Sequence, residues 1–164
     1  MMKSTIRTWL SASLGFVLAA CLAPESAAQS CHAIADIQAL GAGTPGSAGV
    51  PLLETSGLPL VGLEGFSLKL SQGPAHANAV ILIGAFFGPS NIPTLGGTLY
   101  LAKPFHHPRV KLDATGAGTF PMPQVETMPA AFCGLTFYSQ GAVQDPTAQG
   151  GYSLSNAIAI TFGT

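Results

Sequence analysis

The side chains that could perform acid–base or metal chemistry in this 164-residue chain are few and scattered. Four histidines are present, and only His106 and His107 are adjacent. Neighbouring residues on a strand point to opposite faces, so these two could hold one metal ion only from a loop. Pro104 and Pro108 bound such a loop, but no carboxylate follows nearby as a further ligand. The pattern is more typical of a solvent-exposed loop, and we predict no metal site.

The acidic residues beyond the N-terminal segment are isolated from one another. A glycosidase needs two facing carboxyl groups about 5 to 10 Å apart, and this scatter gives no positive indication of such a pair. We therefore assign no catalytic residue and expect a protein that is not an enzyme. A turnover abolished by changing Asp36, Glu54, Glu64, His106 or His107 would overturn this prediction. The acids are Asp36, Glu54, Glu64, Asp113, Glu126 and Asp145.

Two short motifs resemble active-site signatures, but their neighbouring residues exclude the structures that those signatures need. Residues 41–46 spell GxGxxG, but Gly46, Gly49 and Pro51 exclude the helix on which a dinucleotide pyrophosphate would rest. Pro45 stands where the serine-hydrolase motif GxSxG requires its first glycine. The sequence implies no cofactor.

Composition excludes further classes of function. Charged residues make up only 8% of the chain, the formal net charge is −1, and no cluster of Lys and Arg exists, so we expect no nucleic-acid partner. Apolar residues reach 48%, too many for a chain disordered by its composition. The 20 glycines and 13 prolines exclude a helical bundle, since both residue types disrupt helix interiors.

The N-terminal segment is typical of an export signal. Lys3 and Arg7 precede an apolar run from residue 9 to 23, which is shorter than the roughly 20 residues of a membrane-spanning helix. The small residues 26–28 then form a cleavage site. We predict a signal peptide over residues 1–28, a domain over residues 29–164 and a secreted, extracytoplasmic location.

A second cleavage site competes with the first. Leu18-Ala19-Ala20-Cys21 resembles a bacterial lipobox, in which the cysteine is lipidated and becomes the first residue of the mature protein. The signal would then cover residues 1–20, and Cys21 would anchor the protein to the envelope. Both alternatives stay open, and a lipid anchor is the only membrane attachment that we expect.

The remaining two cysteines form an even pair in an oxidising compartment. Cys31 and Cys133 have no CxxC spacing that would indicate a metal site. We predict a Cys31–Cys133 disulfide, whose closure of a loop of about 100 residues would stabilise the fold by roughly 4 to 5 kcal/mol in the chain-entropy model.

Short apolar runs separated by Gly, Pro, Asn and Asp recur along the domain and predict an all-β fold. We expect a single β-sandwich of about eight antiparallel strands, of Greek-key or jelly-roll type. We predict that Gly41–Gly62 is irregular and wraps a sheet edge, and that residues 113–118 form a hairpin turn between two paired strands. The expected strands cover residues 33–40, 65–70, 79–86, 97–102, 110–114, 118–122, 131–143 and 152–162.

The C-terminal part carries a resemblance. Residues 135–146 (LTFYSQGAVQDP) and 152–160 (YSLSNAIAI) resemble the end of a small exported β-rich domain found in planctomycetes and some other environmental bacteria. The resemblance extends to the Gly/Pro-rich residues 41–51, to Leu82-Ile83-Gly84 and to the glycines after Asp113, but not to residues 105–108. It implies a secreted β module and supplies no catalytic residue.

In that C-terminal part, Gln140 and Asn156 are amides suited to bonding backbone groups where a strand ladder ends, and Asp145-Pro146 is a turn. The function we expect is that of a structural, adhesive or binding module at the cell envelope. Its partners would be envelope components, glycans or further copies of the chain. A carbohydrate-binding module is the main alternative and a secreted hydrolase a weaker one. The aromatics that could stack on sugars are Phe105, Tyr100, Tyr138 and Tyr152.

Overall fold

The computed structural model describes residues 32–164, which form ten strands and no helix longer than a three-residue 3₁₀ turn. The predicted all-β fold is confirmed, with ten strands in place of about eight. All of the strand pairs are antiparallel, and they form sheets of five, three and two strands. The strands are β1 (Asp36–Leu40), β2 (Leu52–Ser56), β3 (Ser67–Ser71), β4 (Asn78–Gly84), β5 (Phe86–Ile92), β6 (Gly97–Ala102), β7 (Arg109–Lys111), β8 (Gly118–Pro121), β9 (Thr136–Gln144) and β10 (Tyr152–Thr161).

The five-stranded sheet, in the order β1-β10-β9-β4-β7, packs one face against the three-stranded sheet β2-β3-β8. Alternation along each strand decides which residues enter this core, because side chains two apart share a face. In β4, Ala79, Ile81 and Ile83 are buried there. The facing sheet contributes Leu53, Leu68 and Leu70. The core is therefore a layer of aliphatic side chains between two sheets, closed at one end by Phe66, Val125 and Phe162.

The hairpin β5–β6 lies across the opposite, outer face of the five-stranded sheet. Gln140 of β9 is fully buried beneath it: its Oε1 accepts a hydrogen bond from the amide of Tyr100 at 3.0 Å. Its Nε2 donates to the carbonyl oxygens of Thr98 and Ser155, at 3.1 and 3.0 Å. The expectation that this amide bonds backbone groups is thus confirmed, although Gln140 lies inside β9, paired with β4 and β10, and not at the end of a ladder.

Asn156 performs the same task between the two sheets of the sandwich. It lies in a bulge of β10, where two residues of β10 oppose Gly141. Its Oδ1 accepts from the amide of Leu53 at 2.8 Å, and its Nδ2 donates to the carbonyl of Leu53 at 3.0 Å. The bulge turns this side chain toward β2 and so connects the five-stranded sheet to the three-stranded one.

The expectation for Gly41–Gly62 is partly wrong. Thr44 does bond β10 beyond the end of β1, since its amide donates to the carbonyl of Leu154 and its Oγ1 accepts from that residue's amide, both at 2.8 Å. Residues 52–56, however, form strand β2, paired along its whole length with β3. The five residues Leu-Leu-Glu-Thr-Ser show no apolar–polar alternation, and glycines and prolines surround them, so the sequence did not indicate this strand.

Two further expectations need correction. The strands that flank residues 113–118 do not pair with each other, because β7 pairs with β4 and β8 pairs with β3. The turn is real, with the amide of Asp113 donating to the carbonyl of Ala117 at 2.7 Å, but it carries the chain from one sheet to the other. Strand β5 was also missed, because Gly88 and Pro89 interrupt its pattern; both lie in a bulge, where a proline costs no ladder hydrogen bond.

Candidate functional site

An aromatic pocket opens at one end of the sandwich, where β8 and the loop after β6 diverge. Its cavity of about 310 Å³ is at the small end of the range for ligand sites. The floor consists of the core residues Ile83 and Phe162, and Phe105, 60% exposed, stands at the rim. We call this cavity the aromatic pocket. It is lined by Ile83, Phe105, His106, Phe120, Met122, Gln124, Met128, Phe132, Phe137 and Phe162.

Phe137 of β9 holds the rings of the pocket together. Its ring contacts those of Phe105 and Phe162 edge-to-face, with centroids 5.9 and 5.6 Å apart, and it meets Phe132 at 6.3 Å. Edge-to-face pairs of this kind add about 0.5 to 1.5 kcal/mol each beyond the area that they bury. The lining also includes Met122 and Met128, whose flexible side chains can adapt to an occupant.

The rim of the pocket is positioned by backbone pairing. Ile83 exchanges hydrogen bonds with the loop after β6, donating to the carbonyl of His106 at 2.8 Å and accepting from the amide of Phe105 at 3.0 Å. This pairing places the ring of His106 against Phe120, with centroids 6.1 Å apart. His106 and Gln124 are the polar side chains of an otherwise apolar lining. The pocket therefore presents apolar walls with two groups able to form a directed hydrogen bond.

The sequence candidates lie in different places. His106 and His107 are in an exposed loop, as expected, but only His106 lines the pocket. Among residues 32–164 no three His, Cys, Asp or Glu side chains are grouped so that they could hold a metal ion. Asp36 is on β1, Glu54 on β2 and Asp113 in the turn before β8. The other exposed acids, Glu64 and Glu126, are in connecting segments.

Asp145 is the one acidic residue of the described chain that is buried, at 1% exposure. Its Oδ2 accepts from the amide and hydroxyl of Ser47 at 2.5 and 2.9 Å, and its Oδ1 from the amide and hydroxyl of Thr147 at 3.0 and 2.8 Å. These bonds, that from the Ser47 amide above all, lower the pKa of Asp145 to about 2. Both carboxylate oxygens are occupied by the protein itself, so the arrangement is that of a structural anchor.

The aromatic side chains considered for sugar stacking are divided among three surfaces. Tyr100 and Tyr138 flank Phe87 on the outer face of the five-stranded sheet, with centroids 6.4 and 5.7 Å from it. Phe105 belongs to the aromatic pocket, and Tyr152 begins β10 at the far end of the sheet. The sequence indicates Phe105 as an exposed aromatic but not the pocket, because the lining of the pocket comes from five separated segments of the chain.

The predictions of export and of a disulfide depend on residues outside the described part of the chain. These are the signal over residues 1–28, which includes Cys21, and Cys31. Cys133, which ends the 3₁₀ turn Ala130–Phe132, is not a free thiol. Its pairing with Cys31 stays a prediction. In the described part of the chain, no helix has the length and hydropathy of a membrane span.

Comparison with protein-family models, with curated proteins and with solved structures gives no match. The resemblance of residues 135–160 to an exported planctomycete-type domain therefore stays a prediction.

Proposed function

We propose that the protein is an exported, non-catalytic binding module that holds a small apolar ligand in the aromatic pocket. The observation that carries the proposal is the shape of that pocket. It is open to solvent, it is lined by aromatic rings that contact one another, and it lies at the end of an otherwise closed core. A ligand with one ring or a short acyl chain suits its volume, and a single polar group on that ligand would meet His106 or Gln124.

The test uses the neutral fluorescent probe N-phenyl-1-naphthylamine, whose emission rises in apolar surroundings. We expect saturable binding to residues 29–164 and at least tenfold weaker binding to Phe105→Ser. Phe105 is exposed, so the variant should fold. The matched control is Phe86→Ser, which removes a similarly exposed ring (66%, against 60% for Phe105) from β5, outside the pocket. Absence of saturable binding, or the same loss in both variants, would contradict the proposal.

The proposal that the module is not an enzyme is tested separately, by assaying the purified protein on glycan, ester and peptide substrates. We expect no turnover. A turnover abolished by changing any one of Asp36, Glu54, Glu64, His106 or His107 would establish the hydrolase alternative instead.

Export and the Cys31–Cys133 disulfide belong to the same proposal. The position of Ala33 supports the pairing: a Cβ built on Gly134 would lie 3.6 Å from that of Ala33, beside Cys133. Cys31 is two residues from Ala33, a span of at most about 7 Å. Intact-mass measurement of the mature, non-reduced protein should show a mass 2 Da below that of the dithiol, a difference that reduction removes.

The same spectrum distinguishes the two cleavage sites. A chain that begins at Gln29 supports secretion in soluble form, and a chain that begins at an acylated Cys21 supports the lipid-anchored alternative. Two free thiols in the mature protein would contradict the disulfide under either cut.

A further inference from the structure

A second groove lies on the outer face of the five-stranded sheet, at the end that the β5–β6 hairpin leaves uncovered. Asn78 of β4 is opposite Lys111 of β7, and Gln144 of β9 is opposite Tyr152 of β10. Ala79 is opposite Val143, so Asn78 and Gln144 are neighbours, and the Asn78 Nδ2 donates to the Gln144 Oε1 at 3.2 Å. The four side chains form one line across four strands, which we call the polar row.

The polar row borders a cavity of about 510 Å³, well within the range of small-molecule sites. Strands are about 4.8 Å apart, so the row extends over roughly 14 Å from Lys111 to Tyr152. Arg109 is two residues before Lys111 on β7 and therefore shares its face. Its guanidinium adds a second cation at the same end of the cavity.

The charge at this end is not neutralised by the protein. Residues 32–164 contain four Lys and Arg side chains, and two of them, Arg109 and Lys111, line this cavity. No carboxylate lines it, and within those residues neither cation is paired with an acid. Asp113, two positions beyond Lys111, is not part of this lining, and its Oδ1 accepts hydrogen bonds from Thr115 and Ala117.

From these observations we propose that the polar row binds an acidic oligosaccharide. Arg109 and Lys111 pair with its carboxylate or sulfate groups, since both donate charge-assisted hydrogen bonds to such anions. The free Oδ1 of Asn78 and Nε2 of Gln144 bond sugar hydroxyls. The ring of Tyr152, 40% exposed at the other end, offers a flat face on which a sugar ring stacks. The polar row thus places amides, an aromatic face and unpaired cations in one line. This arrangement matches an oligosaccharide along which hydroxyl groups alternate with acidic groups.

The experiment titrates residues 29–164 calorimetrically with three probes: a galacturonate trimer, a heparin-derived tetrasaccharide and neutral maltotriose. We expect one of the two acidic probes to bind at least tenfold more tightly than maltotriose, and the one that does so identifies the acid group. Raising the salt concentration should weaken that binding, because the cations are exposed. Equal binding of the neutral probe, or no binding of either acidic probe, would overturn the proposal.

Variants locate the site. Arg109→Gln and Lys111→Gln should each weaken the acidic probe about tenfold, and Tyr152→Ala should weaken it by several-fold. Lys69→Gln is the matched control: it removes the same charge from an exposed strand position on the three-stranded sheet and should leave the affinity unchanged. Equal losses in Lys69→Gln and Lys111→Gln would show attraction by net charge alone and overturn the proposal. Phe105→Ser should have no effect, which separates this site from the aromatic pocket.

Discussion

Replacing the buried carboxylate of Asp145 by an amide should destabilise the fold at neutral pH. The Asp145→Asn side chain keeps the shape of the carboxylate but can present only one oxygen. If that oxygen accepts from Thr147, the new NH₂ group faces the Ser47 amide, which is itself a donor held 2.5 Å from Oδ2. If the amide is rotated by 180°, its NH₂ group faces the amide donor of Thr147 instead. Either orientation leaves a buried N–H without an acceptor.

The magnitude can be worked out in two ways, which both start from the bonds of Ser47 and Thr147. An unsatisfied buried donor costs about 1 to 3 kcal/mol, and the loss of charge-assisted bonds adds to this. The pKa of about 2, against an ordinary value of 3.8, corresponds to on the order of 2 kcal/mol of stability at neutral pH. We therefore expect a loss of about 2 to 3 kcal/mol, a substantial fraction of the usual 5 to 15 kcal/mol of a domain.

The pH dependence has a definite sign. Because folding lowers the pKa of Asp145, its contribution is complete above the unfolded pKa of about 3.9 and is lost as the pH falls toward about 2. The difference in stability between wild type and Asp145→Asn should thus be constant from pH 7 to about pH 5 and shrink between about pH 4 and 2.

Urea unfolding followed by far-UV circular dichroism measures this difference, since Trp9, the single tryptophan, lies in the predicted signal. The midpoint should fall by about 1 to 2 M with an unchanged slope. Asp113→Asn is the matched control, because Asp113 bonds Thr115 and Ala117 through Oδ1 alone, and an amide oxygen can accept the same bonds. A midpoint for Asp145→Asn equal to that of this control, or a difference that does not shrink in acid, would refute the reasoning.

Two further substitutions test the connections within the sandwich. Asn156→Ala should cost about 2 to 4 kcal/mol in urea unfolding, because it leaves both the amide and the carbonyl of Leu53 without their partners; a loss under 1 kcal/mol would contradict the role given to the bulge. Gly116→Ala should prevent stable folding or lower the melting temperature sharply, since its Cβ would lie 1.9 Å from the carbonyl oxygen of Gly73 at a φ of +75°. Gly62→Ala, at a φ of +83° in open space, should cost only about 1 kcal/mol, so equal effects of the two glycine substitutions would show that the close approach is unimportant.

The sequence carried the fold class but not the pairing of its strands. Alternation in residues 66–70 and 154–162 identified β3 and β10, because the period of two is visible locally even though β10 is buried on both faces. The turn at Asp113 was also visible, from its glycines. Which strands it joins was not, since a tight turn serves a hairpin and a crossing between sheets equally well. That choice depends on β4 and β3, whose paired residues lie 29 to 33 and 48 to 54 positions before β7 and β8.

The candidate site shows the same division between local and distant information. The prolines around His106 indicated an exposed loop, and the loop is exposed. The sequence did not indicate Met122 and Met128 as pocket residues, because a methionine near a 3₁₀ turn is usually an ordinary residue of the hydrophobic core. They line a pocket only because the fold brings the segment that follows β8 to the same cavity as Ile83 of β4. A cavity built from five segments has no sequence pattern of its own.

The small number of charged side chains, which was an argument against an enzyme, has a different consequence for the polar row. In a chain with many ion pairs, two exposed cations would be screened by nearby acids. Here six acids and four bases are spread over residues 32–164, and the only buried acid, Asp145, is held by Ser47 and Thr147. Arg109 and Lys111 therefore give the groove a local positive charge, although residues 32–164 as a whole carry a formal charge of −2. Such a local field attracts an acidic ligand to one face while the net charge disfavours nonspecific binding elsewhere.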